Sequence, residues 1–248
     1  MTDAARSAAN REQKALQTLL RVIAARDQPE ALRLLAESPA LARAAVRAGA
    51  TRADSTPHFL ADVGHYAYAG DTALHFAAAA YRRDVAEALV SKGAEVRAKN
   101  RRGAEPLHYA SDGAPGAPWW NPEAQYAVVE FLIGAGADPH AEDKTGVAPL
   151  HRAVRTRSTA AVRALLAHGA DVKRKNKSGS TPLHLAVQTT GRGGSGSDAA
   201  REEQAEIIRL LLEHGARPSD RNSAGRSVQD SVQAQWIREV IRGVRPQR

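Results

Sequence analysis

The chain has 248 residues, nine histidines, no cysteine and a formal net charge of +8, from 35 Lys and Arg against 27 Asp and Glu. Without cysteine there is no disulfide framework and no cysteine-ligated zinc or redox centre. The positive charge biases association toward acidic partners without specifying a fold, and no uncharged stretch approaches the length needed to span a bilayer.

The opening run Met1-Thr2-Asp3-Ala4-Ala5-Arg6 reaches Arg11, Glu12 and Lys14 with no apolar core. It does not read as a secretory signal, and cytoplasmic residence is the expectation. Leu16, Leu19, Leu20 and Ile23 fall at i, i+3, i+4 and i+7 and predict an amphipathic helix. A second helix is expected after Pro29, carrying Leu32, Leu34 and Leu35 until Pro39 stops it. A third short helical run is expected from Leu41 to Val46, ending at Gly49. Residues 1–49 thus read as a helical N-terminal cap. Periodicity then disappears over 50–69, an irregular linker that is rich in aromatics for a loop. Long loops of this kind are usually functional or mobile, which makes Tyr66 and Tyr68 candidate contacts, against the plainer alternative that Phe59, Tyr66 and Tyr68 pack over the flank of the first repeat.

From residue 70 onward the sequence repeats itself. The string Ser180-Thr181-Pro182-Leu183-His184-Leu185-Ala186 has weaker copies at Asp71-Thr72-Ala73-Leu74-His75-Phe76-Ala77, Ala104-Glu105-Pro106-Leu107-His108-Tyr109-Ala110 and Val147-Ala148-Pro149-Leu150-His151-Arg152-Ala153. A glycine precedes each copy, at Gly70, Gly103, Gly146 and Gly179, and Gly225 opens a degenerate fifth, giving spacings of 33, 43, 33 and 46 residues. From each histidine to the next Gly-Ala pair the distances are 18, 28, 18 and 31 residues, whereas from that glycine to the next copy the distance is always 10. All the surplus therefore falls between the first and second helix of alternate repeats. Val129-Leu132-Ile133, Val162-Leu165-Leu166 and Ile208-Leu211-Leu212 mark the second helices. Threonine, or its substitute, is the expected cap of each first helix, with proline in its first turn; Ala73 and Glu105 depart from that pattern. The last helix is expected to show Trp236, Val240 and Ile241 on one face, with Arg242, Arg245 and Arg248 trailing behind.

A period near 33 carrying Thr-Pro-Leu-His-x-Ala resembles the ankyrin-repeat family. The resemblance implies an all-α solenoid of stacked helix-turn-helix units with hairpin fingers and helical caps. Four repeats would occupy 70–224, with insertions at 113–122 and 190–202, followed by a degenerate capping repeat and basic tail at 225–248. It implies that His75, His108, His151 and His184 bridge backbone groups of neighbouring turns. His168 and His214 sit at helix ends, where a donor side chain suits the negative end of the dipole. Only His58, His65 and His140 remain, in separate places, so no metal site, cofactor or catalytic group is expected. Gly191-Arg192-Gly193-Gly194-Ser195-Gly196 lacks the Lys-Ser/Thr ending of a phosphate loop and reads as a linker.

For function, the resemblance implies non-covalent recognition of another macromolecule, usually a protein, by the concave groove and finger tips, to which the inserted loops would add. Two features exceed the repeat's own consensus. Arg97, Lys99, Arg101 and Arg102 populate one finger and Lys173, Arg174, Lys175 and Lys177 another, while the finger between them carries Glu142, Asp143 and Lys144. The insertion Gly113-Ala114-Pro115-Gly116-Ala117-Pro118-Trp119-Trp120-Asn121-Pro122 holds two of the three tryptophans, a residue type enriched at interface hot spots. The expected contacts are Trp119, Trp120, Arg155, Arg157, Lys173, Arg174 and Lys175, with Tyr66 and Tyr68. The expected partner is a protein with an acidic surface. The alternative is nucleic acid or another polyanion on the basic fingers. That alternative is disfavoured by the acidic middle finger and by the lack of aromatic residues within the tips.

Overall fold

The computed structural model describes residues 3–189 and 197–243. The run from Gly191 to Gly196 and the terminal Arg245 and Arg248 lie outside the described residues. Helices α1 (Asp3–Ala24) and α2 (Gln28–Glu37) are followed by strands β1 (Phe59–Leu60) and β2 (His65–Tyr66), and ten further helices complete the chain. These are α3 (Ala73–Ala79), α4 (Arg83–Ser91), α5 (Pro106–Ser111), α6 (Pro122–Gly134), α7 (Pro149–Arg155), α8 (Thr159–Ala167), α9 (Pro182–Ala186), α10 (Asp198–Glu213), α11 (Val228–Ser231) and α12 (Gln235–Gly243). The architecture is the all-α repeat solenoid that the 33-residue period implies. The chain divides into two compact units, residues 1–110 with 127–138 and residues 111–126 with 139–248. No helix among the described residues is long and apolar enough to cross a membrane.

In the first unit the stripe Leu16, Leu19, Leu20 and Ile23 of α1 is fully buried, with α1 packed on α2 and α3, and α2 on α4. The Asp27 carboxylate caps α2 by accepting the Glu30 N–H at 3.2 Å, a contact of the kind worth about 1 kcal/mol. The expected helix over 41–46 does not form. A short 3-10 turn, Pro39–Ala42, takes its place, and the chain then extends: Ala45 bridges Thr72, Val46 N–H donates to Asp71 O, and Gly70 N–H donates to Val46 O, both at 2.8 Å. Pairing with the first repeat claims these backbone groups, and that overrides local helix propensity. The segment 50–69 is likewise ordered by pairing. Phe59 lies opposite Tyr66 and Leu60 opposite His65 in an antiparallel hairpin, and His65 stacks on Tyr109 with ring centroids 4.8 Å apart.

The recurring histidine has a physical reason. Its Nδ1 accepts the backbone N–H at the start of its own helix, from Thr72 (3.1 Å), Glu105 (3.1 Å), Ala148 (3.2 Å) and Thr181 (3.2 Å). That fixes the proton on Nε2, which donates to a carbonyl of the following finger: Ala104 from His75 (3.1 Å), Ser180 from His151 (3.2 Å) and Arg226 from His184 (3.4 Å). The histidine, three residues into the motif, is therefore the capping side chain, and the Thr72 and Thr181 hydroxyls hydrogen-bond to its ring. An orphan donor at a helix start and a finger carbonyl are satisfied by one imidazole. His168 and His214 use Nδ1 to donate to Ala164 O (2.8 Å) and Leu210 O (2.7 Å), at the ends of α8 and α10.

Successive fingers join at the residue before the glycine. Arg101 N–H donates to Ala69 O in the first unit, and Lys177 N–H to Thr145 O and Ser223 N–H to Ser178 O in the second. The glycine after that contact is required: Gly146 has φ +72° and a Cβ there would lie 2.9 Å from Lys177 N.

In the second unit α7 packs on α8 and α9, α10 on α8, α9 and α12, and α11 on α9. Both surpluses fall between consecutive helices, α5 to α6 and α9 to α10. Part of the second surplus is helical, because α10 begins at Asp198 with Ser197 Oγ accepting the Ala200 N–H at 3.2 Å. The final helix α12 buries Ile237, flanked by half-buried Trp236, Val240 and Ile241. The expected apolar face is thus centred one position along, on Ile237.

Candidate binding surfaces

Two of the four cations of the first finger, Arg97 and Lys99, are paired within the fold. Glu105 stands where two other copies have threonine and is fully buried, with neither carboxylate oxygen hydrogen-bonded. Arg97 Nε lies 3.5 Å and Lys99 Nζ 3.6 Å from it, ion-pair contacts rather than good hydrogen bonds. Arg97 also meets Asp138 at 3.2 Å. Burial pushes the Glu105 carboxyl above its ordinary value, with Arg97 and Lys99 only partly opposing it. Glu105 therefore costs stability once ionised, and Glu105→Thr is expected to stabilise the first unit by about 1 kcal/mol at neutral pH. Arg97 and Lys99 are half-exposed and lose little. The gain should shrink in acid, where Glu105 takes up its proton; urea midpoints at neutral and acid pH measure it, and a gain constant with pH refutes the assignment.

Beside this finger the hairpin presents the surface the sequence left open. Phe59 is 44 % and Tyr66 36 % exposed, with ring centroids 4.8 Å apart. Tyr68 follows at 6.3 Å from Tyr66. The guanidinium carbons of Arg101 and Arg102 stand 5.3 and 5.1 Å from the centroid of the Tyr68 ring, and Arg102 donates to its hydroxyl at 3.1 Å. Both arginines are exposed. Contrary to the expectation from sequence, this finger tip does not lack an aromatic residue, because Tyr68 is supplied to it from one repeat earlier. Phe59 does not simply pack over the flank; it is the more exposed of the aromatic pair.

In the second unit the inserted loop is tied to the turn after α7. Gly113 N–H donates to Thr156 Oγ1 at 2.8 Å, and the buried Gln125 carbonyl accepts from Trp120 Nε1 at 2.9 Å and from Ser158 Oγ at 2.7 Å. Trp120 and Trp119 are both half-buried. Trp120 is consequently a clasp for its own loop as well as a surface residue. The same network brings Arg155 and Arg157 near the loop. Arg155 is exposed, 3.8 Å from Asp112. Arg157 is half-buried, with burial lowering its pKa, and at φ +57° it takes the left-handed turn position held by Arg26 and Tyr81 in other helix pairs. Arg152, in the same helix as Arg155, is enclosed by Asp112 (2.8 Å) and Asp143 (3.5 Å).

The basic finger at 173–177 stands apart from this cluster in its bonding. Arg174 donates to Glu142 at 2.9 Å, so the acidic middle finger neutralises it, and Lys175 Nζ donates to Arg221 O at 2.9 Å. Lys173 is exposed. No group of three or more His, Asp or Glu side chains among the described residues is placed to hold a metal.

Residues 69–101 match the family model described as ankyrin repeat, and residues 122–222 match the one described as ankyrin repeats (3 copies). The chain belongs to the ankyrin-repeat family. Ankyrin repeats are, as a class, protein–protein interaction modules and typically not enzymes. The stretch between the matches, 102–121, holds the copy at Gly103–Ala110 and the first insertion. No curated protein matches the chain.

Proposed function

We propose that this ankyrin-repeat chain is a non-enzymatic binding module whose protein partner presents an acidic segment to the surface formed by Phe59, Tyr66, Tyr68, Arg101 and Arg102. One observation carries the reading: two exposed aromatic rings in contact, adjoining two exposed guanidinium groups already placed over a third ring. Aromatic anchors supply affinity at interfaces, and arginine pairs bidentately with carboxylates. The second unit offers further contacts in Trp119, Arg155 and Lys173, with Trp120, Arg157, Arg174 and Lys175 serving chiefly to hold loops and fingers in place. A cytoplasmic setting accords with this role.

The test selects binders of the full chain from a random peptide library, then measures them by fluorescence anisotropy beside an oligothymidylate. Selected peptides should be rich in Asp and Glu next to an apolar residue. The double variant Phe59→Ser/Tyr66→Ser should weaken them about tenfold or more, as hot-spot truncation does. Oligothymidylate binding that beats the peptides and collapses between about 50 and about 500 mM salt would instead assign the arginines and rings to a nucleic acid.

A further inference from the structure

The hairpin has a second face. Leu60 and His65 lie on the side opposite Phe59 and Tyr66, because neighbouring residues of a strand alternate. Below that side, between α1 and the extended segment after α2, lies a cavity of about 210 Å³ lined by Gln17, Leu20, Arg21, Val46, Ala48, Pro57, His58, Leu60 and Ala67. Six of these are aliphatic or proline; the polar ones are an amide, a guanidinium and an imidazole. Among the described residues no carboxylate lines the cavity. Asp54, 3.8 Å from Nε2 of His58, stands outside the lining. The volume falls below the roughly 300 Å³ at which pockets for drug-sized ligands begin, and suits a single side chain.

We infer that this cavity receives one aliphatic side chain of the protein partner, with a neighbouring carboxylate of the same segment held by Arg21. The inference rests on the reading of the chain as a binder of acidic protein segments, and adds to it the residue that fixes register. Leu20, Val46 and Ala67 are buried and give the cavity fixed walls. Gln17, Arg21 and Ala48 are exposed at its rim, where a cation pairs with an incoming carboxylate without having to be desolvated first. An apolar floor with a guanidinium at the rim discriminates for an apolar group beside an anion and against a cationic one.

The probes are N-acetyl-leucine, N-acetyl-leucinamide and N-acetyl-Leu-Glu-amide, titrated into the ¹⁵N-labelled full chain. Saturable shifts are expected at the amides of Ala48, Leu60 and Ala67. The two acids should bind about fivefold more tightly than the leucinamide, the amount a part-exposed ion pair supplies. Preference for N-acetyl-leucine marks a chain terminus as the source of the carboxylate, and preference for the Leu-Glu probe marks an internal acidic residue. Arg21→Gln should abolish the advantage of the acids while leaving the amide unchanged, and Ala48→Phe, a rim substitution, should fill the cavity and remove all three. Equal binding of acid and amide, or shifts scattered without saturation, overturns the inference. Were fragments to fail while library-selected peptides still bound and were lost in Phe59→Ser/Tyr66→Ser, the cavity would be wrong and the aromatic surface would stand. Fragment binding that persists when no peptide binds would uphold the cavity and overturn the aromatic surface.

Discussion

Replacing Asp71 with alanine should destabilise the first unit by about 4 kcal/mol, because several buried donors lose their acceptor at 1–3 kcal/mol each. Asp71 is completely buried. Its Oδ1 accepts from Asn100 Nδ2 at 2.8 Å, the Tyr109 hydroxyl reaches both oxygens at 3.0 Å, and Tyr68 N–H donates to Oδ2 at 2.7 Å. Asn100 in turn holds its finger, its side-chain carbonyl accepting from Arg102 and Ala104 N–H. The same carboxylate thus ties the hairpin segment, the first repeat and the following finger together. Asp71→Asn offers no escape, since it directs an amide NH2 at groups that already donate. The measurement has a built-in control: Trp119, Trp120 and Trp236 are the only tryptophans, and all lie in the second unit. Urea unfolding followed by circular dichroism should shift to lower denaturant in the variant, while the tryptophan fluorescence transition moves much less. Coincident transitions that shift little would show the network to be dispensable.

How much of this was readable in the chain differs between fold and surface. The repeat period, the helix pairs and the position of both insertions follow from Gly-x-x-x-Leu-His spacing alone, because a solenoid fixes where extra residues can go. The extended course of 45–46 and the hairpin at 59–66 were not legible. Strands two residues long show no alternation, and Ala45 and Val46 are held by a partner in the next repeat rather than by their neighbours. The surface is less legible for a related reason: charges are spaced along the chain, while their neutralisation runs across it. Tyr68 reaches Arg101 and Arg102, and Glu142 reaches Arg174, over 32 to 34 residues, close to one repeat length. The residue one period away is what pairs Arg174 and delivers Tyr68 to a finger tip. Glu105, buried against Arg97 and Lys99, is not legible even so, since only the fold shows that its side chain turns inward.

Removal of the motif histidine should show a different signature, one written in pH. His151→Ala strips the Ala148 N–H and the Ser180 carbonyl of their shared partner and leaves an imidazole-sized void, for an expected loss of about 3 kcal/mol at neutral pH. Burial pushes the His151 pKa below its ordinary 6.5, although the hydrogen bond to Ser180 works the other way, and His184 is shifted in the same direction with burial again the leading cause. Each ring is neutral in the folded chain and must stay so, because Nδ1 accepts a backbone N–H. Above pH 6.5 the unfolded chain holds no extra proton and the contribution is complete; below it the unfolded imidazole binds a proton that the folded one resists, so stability falls as pH falls. Asp143 does not confuse the measurement. Burial there opposes ionisation, but hydrogen bonds from Thr145 and Val147 with Arg152 nearby hold its pKa below the ordinary 3.8, so its loss comes only in stronger acid. Urea unfolding monitored by tryptophan fluorescence at pH 7.5 and at about pH 5 should find the gap between wild type and His151→Ala narrowing toward acid. His151→Gln, which keeps an acceptor and a donor but cannot titrate, should lose less stability than alanine and remove the same share of the pH slope. A gap that is constant across this range would mean that packing alone, and not the neutral hydrogen-bonded ring, selects histidine in the motif.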